Sequence, residues 1–481
     1  MGSNLVRERV AVVFITLSVV SSGIFATMVA TNYNKASGQV ATSTTDNSGG
    51  TDAAATPSAD AGTVAGTTGG SSSGGGTTTT TTGGGGGSTS AGGGTASVAS
   101  SQAKSGVTGD SITVGGIFDE TGPVDSSVER DTVKAYFQKI NDAGGINGRR
   151  LVMKQCDSQY DNTAAHQCSQ QMVSANVLAI VGWTAPKGEN DEVHYLAGQQ
   201  GIPIIGGLGT PEEYNYHLSY PVSIPFTRYG AALADEIASK GYKHPAIVYI
   251  NDVPWVAPVL QSLLDALHAK GIYETHVEAA SATDGDYSGH VAQMEHNCDK
   301  GAQSGCPGQQ PDAVIGALDP FSYARLFQAM DRVQWHPPVF GGGLDKYTSQ
   351  KDYGDQLDKA MSVVPFLSPY DNTNNPTVAD YLGTVQKYYP SQYQALDIYT
   401  QHSWTAAMVF VEAVKRAGPN LTRATLVQAL DSIRNFQTGW SSPISYGTGN
   451  HDPNHCVRQT QHDPSPFPQG TWHTVSDWKC Y

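Results

Sequence analysis

From Ser111 onward, short apolar runs alternate with longer amphipathic ones. Ile112 to Phe118 reads as a buried strand. After the loop Asp119 to Pro123, the apolar positions Val128, Val133, Ala135, Tyr136, Phe137 and Ile140 predict a helix over Ser127 to Asp142. Gly144-Gly145, free to take positive φ, ends that helix, and Asn147-Gly148 turns into a strand Arg150 to Cys156. The unit recurs as helix Ala164 to Ala175, strand Val177 to Gly182, helix Glu189 to Gln199 and strand Ile202 to Gly206. A second series follows Pro225: helix Tyr229 to Ser239, strand Ala246 to Asn251, helix Pro258 to Lys270 and strand Thr275 to Glu278. It continues with helix Ser288 to Cys298, strand Ala313 to Ala317, helix Phe321 to Val333 and strand Val339 to Gly342. Strand and helix alternation predicts parallel sheets with right-handed crossovers. Two such series predict an α/β protein of two doubly wound lobes.

The N-terminal stretch has a different texture. Arg7 and Arg9 precede an uncharged run from Val10 to Ala30, longer than the roughly 7–15 apolar residues of an export signal and close to the roughly 20 that span a bilayer. Residues 1–34 are therefore expected to be a membrane anchor or a cleaved signal, with the basic residues on the cytoplasmic side. Residues 35–107 are rich in Gly, Thr and Ser, with runs such as Thr77 to Thr82 and Gly83 to Gly87. So little apolar surface does not offset the entropy of ordering, and a disordered tether is expected there.

Charge sharpens the division. The 481-residue chain has a net charge of −15, and its first 107 residues carry equal numbers of acidic and basic groups, so the whole excess falls on residues 108–481. A domain this acidic repels phosphate backbones, which disfavours nucleic acid and leaves a small-molecule ligand or a protein partner. The six cysteines fall in three local pairs, Cys156-Cys168, Cys298-Cys306 and Cys456-Cys480, without the CxxC spacing of a zinc site. Disulfides in an extracytoplasmic compartment are expected. His451, His455, Cys456 and His462 resemble a metal cluster in isolation, but the cystine reading removes the sulfur and no metal is expected. Asn420-Leu421-Thr422 fits a glycosylation acceptor, while the pattern Ala424 to Ile433 makes Thr422 a candidate helix N-cap.

In open α/β sheets ligands bind outside the carboxyl ends of the strands. The loops to inspect hold Asp119, Glu120, Thr121, Trp183, Thr184, Lys187, Thr210, Asp252, Trp255 and Asp319. Gly206-Gly207-Leu208-Gly209 lacks the third glycine of a dinucleotide fingerprint and the Lys of a P-loop, and no Gly-x-Ser-x-Gly or His-Glu-x-x-His occurs. No cofactor and no catalysis are expected. Trp183, Trp255, Phe118 and Phe321 offer flat apolar faces to a ligand body; Asp319, Asp252 or Glu120 suit an ammonium, and Lys187 or Thr210 a carboxylate.

Thr121-Gly122-Pro123-Val124 and Ile140-Asn141-Asp142-Ala143-Gly144-Gly145-Ile146-Asn147-Gly148-Arg149-Arg150, with Ala179-Ile180-Val181-Gly182 and Gly201-Ile202-Pro203-Ile204-Ile205, carry a resemblance. The chain resembles the substrate-binding proteins of branched-chain amino acid ABC transporters, the leucine/isoleucine/valine-binding-like, type I periplasmic binding proteins, over about residues 108–481. The resemblance implies a non-enzymatic receptor whose two lobes, about 108–226 with 368–435 and about 227–367 with 436–481, close on a small polar ligand for an ABC permease. It carries ligand contacts onto Trp183, Thr184, Ala185, Gly209, Thr210, Trp255 and Asp319; Thr121, in the loop after the first strand, is a further candidate, as a ligand contact or as a turn residue. The serine-rich stretch of amino-acid binders is replaced here by Trp183-Thr184-Ala185-Pro186-Lys187, a departure from their pattern. A membrane-tethered sensor acting through a protein partner is the alternative, and an extracellular enzyme the third reading.

Overall fold

The computed structural model describes residues 105–296, 308–346, 357–449, 451–463 and 471–481. The chain divides into two units, residues 1–87 and 88–481. The first unit lies outside the described residues, and with it the anchor or signal segment; the tether up to residue 104 and the Cys298-Cys306 pair also lie outside them.

The first sheet is built from β1 (Ser111–Phe118), β2 (Arg150–Asp157), β3 (Ile180–Val181), β4 (Ile204–Ile205) and β5 (Ser219–Tyr220) in the order β2-β1-β3-β4-β5. All pairings are parallel. Strand β1 buries Ile112, Val114, Ile117 and Phe118 and lies in register with β2 from Ser111 opposite Arg150 to Phe118 opposite Asp157. Between the strands run α1 (Ser127–Asp142), α2 (Asn162–Ser174) and α3 (Glu189–Val193), the last continuing as a π turn over His194–Gln199. Strands β3 and β4 are shorter than their apolar runs predict. Gly182 and Gly206, just past the two strands, turn to φ of 60° and 76° and end the ladder, leaving single bonds such as Gly182 N–H to the Ile205 carbonyl at 2.9 Å.

The second sheet takes β6 (Pro245–Ile250), β7 (His276–Ala280), β8 (Ala313–Ala317), β9 (Val339–Gly342) and β10 (Met361–Val364), all parallel, and closes with antiparallel β11 (Cys456–Asp463) and β12 (Thr471–Thr474). Its order is β12-β11-β10-β9-β8-β6-β7, with β13 (Lys479–Cys480) pairing with β11. The helices are α4 (Phe226–Lys240), α5 (Val256–His268), α6 (Ser288–Met294) and α7 (Pro320–Arg332). In each sheet the strand order reverses beside a central strand, β1 or β6, where crevices form at strand C-termini.

Between β10 and β11 the chain returns to the first sheet as α8 (Pro376–Tyr388), α9 (Ile398–Ala417) and α10 (Arg423–Asp431). Helix α9 is buried nearly all round, and Ala406, Ala407, Val409, Phe410, Val411, Ala413 and Val414 of its second half join the core of β1, β3 and β4. A Cβ on Gly206, whose φ is +76°, would lie 2.4 Å from the Ala406 Cβ, so glycine lets the strand end meet this helix. Thr422 caps α10, its hydroxyl accepting from Thr425 N–H at 3.1 Å.

Cystines Cys156–Cys168 and Cys456–Cys480 tie β2 to α2 and β11 to β13. Of the histidines around Cys456, His451 stacks on Tyr220, with its ring nitrogens 2.7 and 3.0 Å from the Ser219 and Gly447 carbonyls, and half-exposed His455 lies 3.4 Å from Asp452. No group of metal-ligating side chains occurs among the described residues.

Candidate functional site

A cavity of about 130 Å³ lies where the strand-to-helix loops of the two sheets face one another. The first sheet contributes Val124, Ser126, Glu129, Tyr160, Thr184 and Pro186; the second contributes Phe226, Trp255, Leu318, Asp319, Phe321 and Lys346, and α9 adds Tyr399.

Asp119 organises the loops of the first sheet. Buried behind β1, its carboxylate accepts from Ser158 Oγ at 2.5 Å and Tyr160 N–H at 2.8 Å, and its own N–H donates to the Thr184 carbonyl at 2.8 Å. Burial pushes this carboxyl up to about 6 against the pull of those bonds. Gln159 and Tyr160 both lie in the left-handed region, with φ of 57° and 54°, conformations that cost energy for non-glycine residues. The bond to Asp119 holds Tyr160 in this bend at the cavity wall, with Lys187 Nζ 5.3 Å from its ring centre.

From the second sheet, Trp255 immediately precedes α5. Its ring stacks on Phe226 at 5.3 Å and its indole N–H donates to the Pro186 carbonyl at 2.8 Å, bridging the loop after β6 to the loop after β3. Behind it, α4 and α5 turn apolar faces to the cavity: Phe226 and Leu233 on one, Val256, Val259, Leu260 and Leu263 on the other. The helices meet at Gly230, where a Cβ would lie 2.7 Å from Leu263 N.

The polar end is charged and largely dry. Lys346 Nζ donates to Asp397 Oδ2 at 2.9 Å and lies 3.8 Å from Glu129 Oε1, with all three side chains at most 4% exposed. Asp397 also caps α9, accepting from Thr400 N–H at 2.9 Å. Burial lowers the ammonium's proton affinity, but Asp397 and Glu129 raise it further, so Lys346 stays charged. Burial pushes Glu129 up to about 8, offset in part by Lys346. It likewise pushes neighbouring Asp345 up to about 7, aided by Asp397.

The sequence-derived candidates divide. Thr184, Trp255 and Asp319 reach the cavity together, and so does Phe321. Asp319 is engaged as the cap of α7, accepting from Phe321 N–H at 2.9 Å and Ser322 N–H at 3.0 Å. Trp183 is 1% exposed and packs with Ile117, Met172 and Leu196 behind the sheet; Phe118 is buried too. Gly209 and Thr210 donate backbone N–H groups to Glu213 at 2.9 and 3.2 Å. Thr210 sits on the buried Glu189 and Glu213 carboxyls, where burial and then Glu213 push Glu189 well above the usual carboxylate range. Thr121 is exposed and donates to Asp157 Oδ2 at 2.7 Å. Glu120 pairs with Arg130, and Asp252 accepts from Ala282 N–H at 3.2 Å. Tyr160, Phe226, Glu129, Lys346 and Tyr399 line the cavity without standing out in the sequence. Glu129, Phe226 and Tyr399 sit within helices, and Lys346 lies beyond the end of β9, outside the loops that the sequence pattern marks.

A family model described as periplasmic binding protein matches residues 111–466. Among solved structures, a branched-chain amino acid ABC transporter protein from Thermus thermophilus with bound valine aligns at 16% identity, covering 78% of this chain and 98% of that one, with a TM-score of 0.66. A fatty acid ABC transporter substrate-binding protein from Thermomonospora curvata aligns at 17% identity, covering 78% and 94%, with a TM-score of 0.67. A solute-binding protein from R. palustris in complex with benzoate aligns at 14% identity, covering 76% and 96%, with a TM-score of 0.63. At these identities the likeness is one of fold. No curated relative matches the chain by sequence.

Proposed function

This chain belongs to the periplasmic binding protein family, and from that premise we propose that it captures a small molecule between its two sheets and delivers it to an ABC permease. The observation that carries this reading is the cavity lined from both sheets and bridged by the Trp255–Pro186 hydrogen bond. A ligand enclosed there touches both halves at once, and contacts made only when the halves meet are what drive closure. The halves take the division read from the sequence, about 108–226 with 368–435 and about 227–367 with 436–481, with the connecting segments as the hinge.

In this reading Thr184, Trp255 and Asp319 touch the ligand. Trp183, Gly209 and Thr210 hold the wall behind it, and Thr121 fixes the first loop. Support for an apolar ligand body comes from the α4 and α5 faces and from neighbours whose bound or named ligands are valine, benzoate and fatty acid. The protein acts by binding and release without turnover. The apolar segment Val10 to Ala30 and the tract after it would keep the receptor near its permease.

A thermal-shift screen of the full chain against amino acids, amides, sugars, aromatic acids and alkyl compounds tests the proposal. One compound class is expected to raise Tm with no product formed; a screen in which none does contradicts it.

A further inference from the structure

The polar end of the cavity holds more acid than base. Glu129, Asp345 and Asp397 surround Lys346, the one basic side chain lining the cavity among the described residues. That lysine is committed to Asp397 at 2.9 Å. Glu129 Oε2 and both Asp345 carboxyl oxygens are buried with no hydrogen-bond partner, and Glu129 lines the cavity directly. Burial holds Glu129 toward the neutral acid, with Oε1 3.8 Å from Lys346 and Oε2 unpartnered, so charging it calls for a second cation. A ligand carboxylate would add another negative charge to a lysine already in use. A ligand ammonium would supply the missing charge and donors. Tyr160, Trp255, Phe321 and Tyr399 line the same cavity, and aromatic faces attract cations. The α4–α5 gap, with Phe226, Leu233, Val256, Val259, Leu260 and Leu263, is apolar apart from the buried Tyr229 hydroxyl on α4.

We infer that the ligand is an amine on an apolar body with no carboxylate, its ammonium against Glu129 and its hydrocarbon part between α4 and α5. This rests on the solute-capture reading above and departs from the carboxylates bound by the valine and benzoate complexes.

The test is calorimetric titration of the full chain with n-hexylamine, 1-hexanol, hexanoate and L-leucine, which vary the head on similar bodies. Hexylamine is expected to bind with one-to-one stoichiometry at least tenfold tighter than hexanol, with hexanoate and leucine weaker still. Glu129→Gln should weaken hexylamine tenfold or more and leave hexanol within twofold; Leu260→Trp should weaken both hexyl compounds and spare methylamine. If Glu129→Gln does not fold, the wild-type ranking decides alone. Tighter binding of hexanoate or leucine than hexylamine, or equal binding of all heads, overturns the amine assignment while leaving solute capture standing. Silence from these compounds and from the wider screen overturns both.

Discussion

The two sides of the cleft use the same residue type in corresponding loops to opposite ends. Trp183 follows β3 and Trp255 follows β6. Trp183 precedes Thr184, whose backbone pairs with Phe118 as an extension of the sheet, and this turns the indole into the core. Trp255 leads straight into α5 and keeps its ring at the cavity against Phe226, with its N–H on the opposite loop. The first side is a scaffold of buried polar bonds presenting hydroxyls and Glu129; the second presents aromatic and aliphatic surface, with Asp319 and Lys346 as its charged groups. A loop's place at a strand end does not assign its side chain a task. The element that the loop leads into does.

The largest expected effect separates the tryptophans. Trp183→Ala should cost about 3–5 kcal/mol of stability by leaving a cavity in the first side, measured by urea unfolding. Trp255→Ala, which removes a half-buried ring and its bond to Pro186, should lower Tm less than Trp183→Ala but weaken ligand binding tenfold or more, so comparable Tm losses would erase the distinction. Next in size, Cys456→Ser should cost about 2–4 kcal/mol in the same unfolding assay by freeing the β11–β13 staple.

A pH profile sharpens the contrast further. Glu129 and Asp345 have folded values raised to about 8 and 7 from 4.5 and 3.8, so the folded state holds more protons than the unfolded one between those limits. Their contribution is constant below about pH 4 and is lost as pH rises toward 8. Tm should therefore decline from pH 5 to 8, and Glu129→Gln should flatten that slope; an unchanged slope would remove Glu129 as its source. The smallest effect belongs to Thr121→Ala, within about 0.5 kcal/mol of wild type and without change in ligand affinity, because its bond to Asp157 is exposed.

The strand and helix series was legible because burial imposes periodicity: α1 begins and ends at Ser127 and Asp142, as its apolar spacing predicts, and β8 at Ala313 and Ala317. Strands β3 and β4 were over-read, since an apolar run marks burial and not the length of a ladder. The cleft was legible only where a loop residue sits directly at a strand end, as Thr184, Trp255 and Asp319 do. Tyr160 reaches it through a left-handed backbone bend that Gln-Tyr does not advertise, and Lys346 and Tyr399 through packing between segments distant in sequence. Thr210 carried the right residue type, but the buried Glu189 and Glu213 pair behind it showed only in three dimensions.

The most direct test of ligand capture between the two sheets is a calorimetric titration of the full chain with the compound giving the largest thermal shift, repeated on Trp255→Ala. One-to-one binding with a negative heat-capacity change, weakened at least tenfold in the variant, is the predicted result. Binding that the substitution leaves unchanged would place the ligand elsewhere and contradict the account.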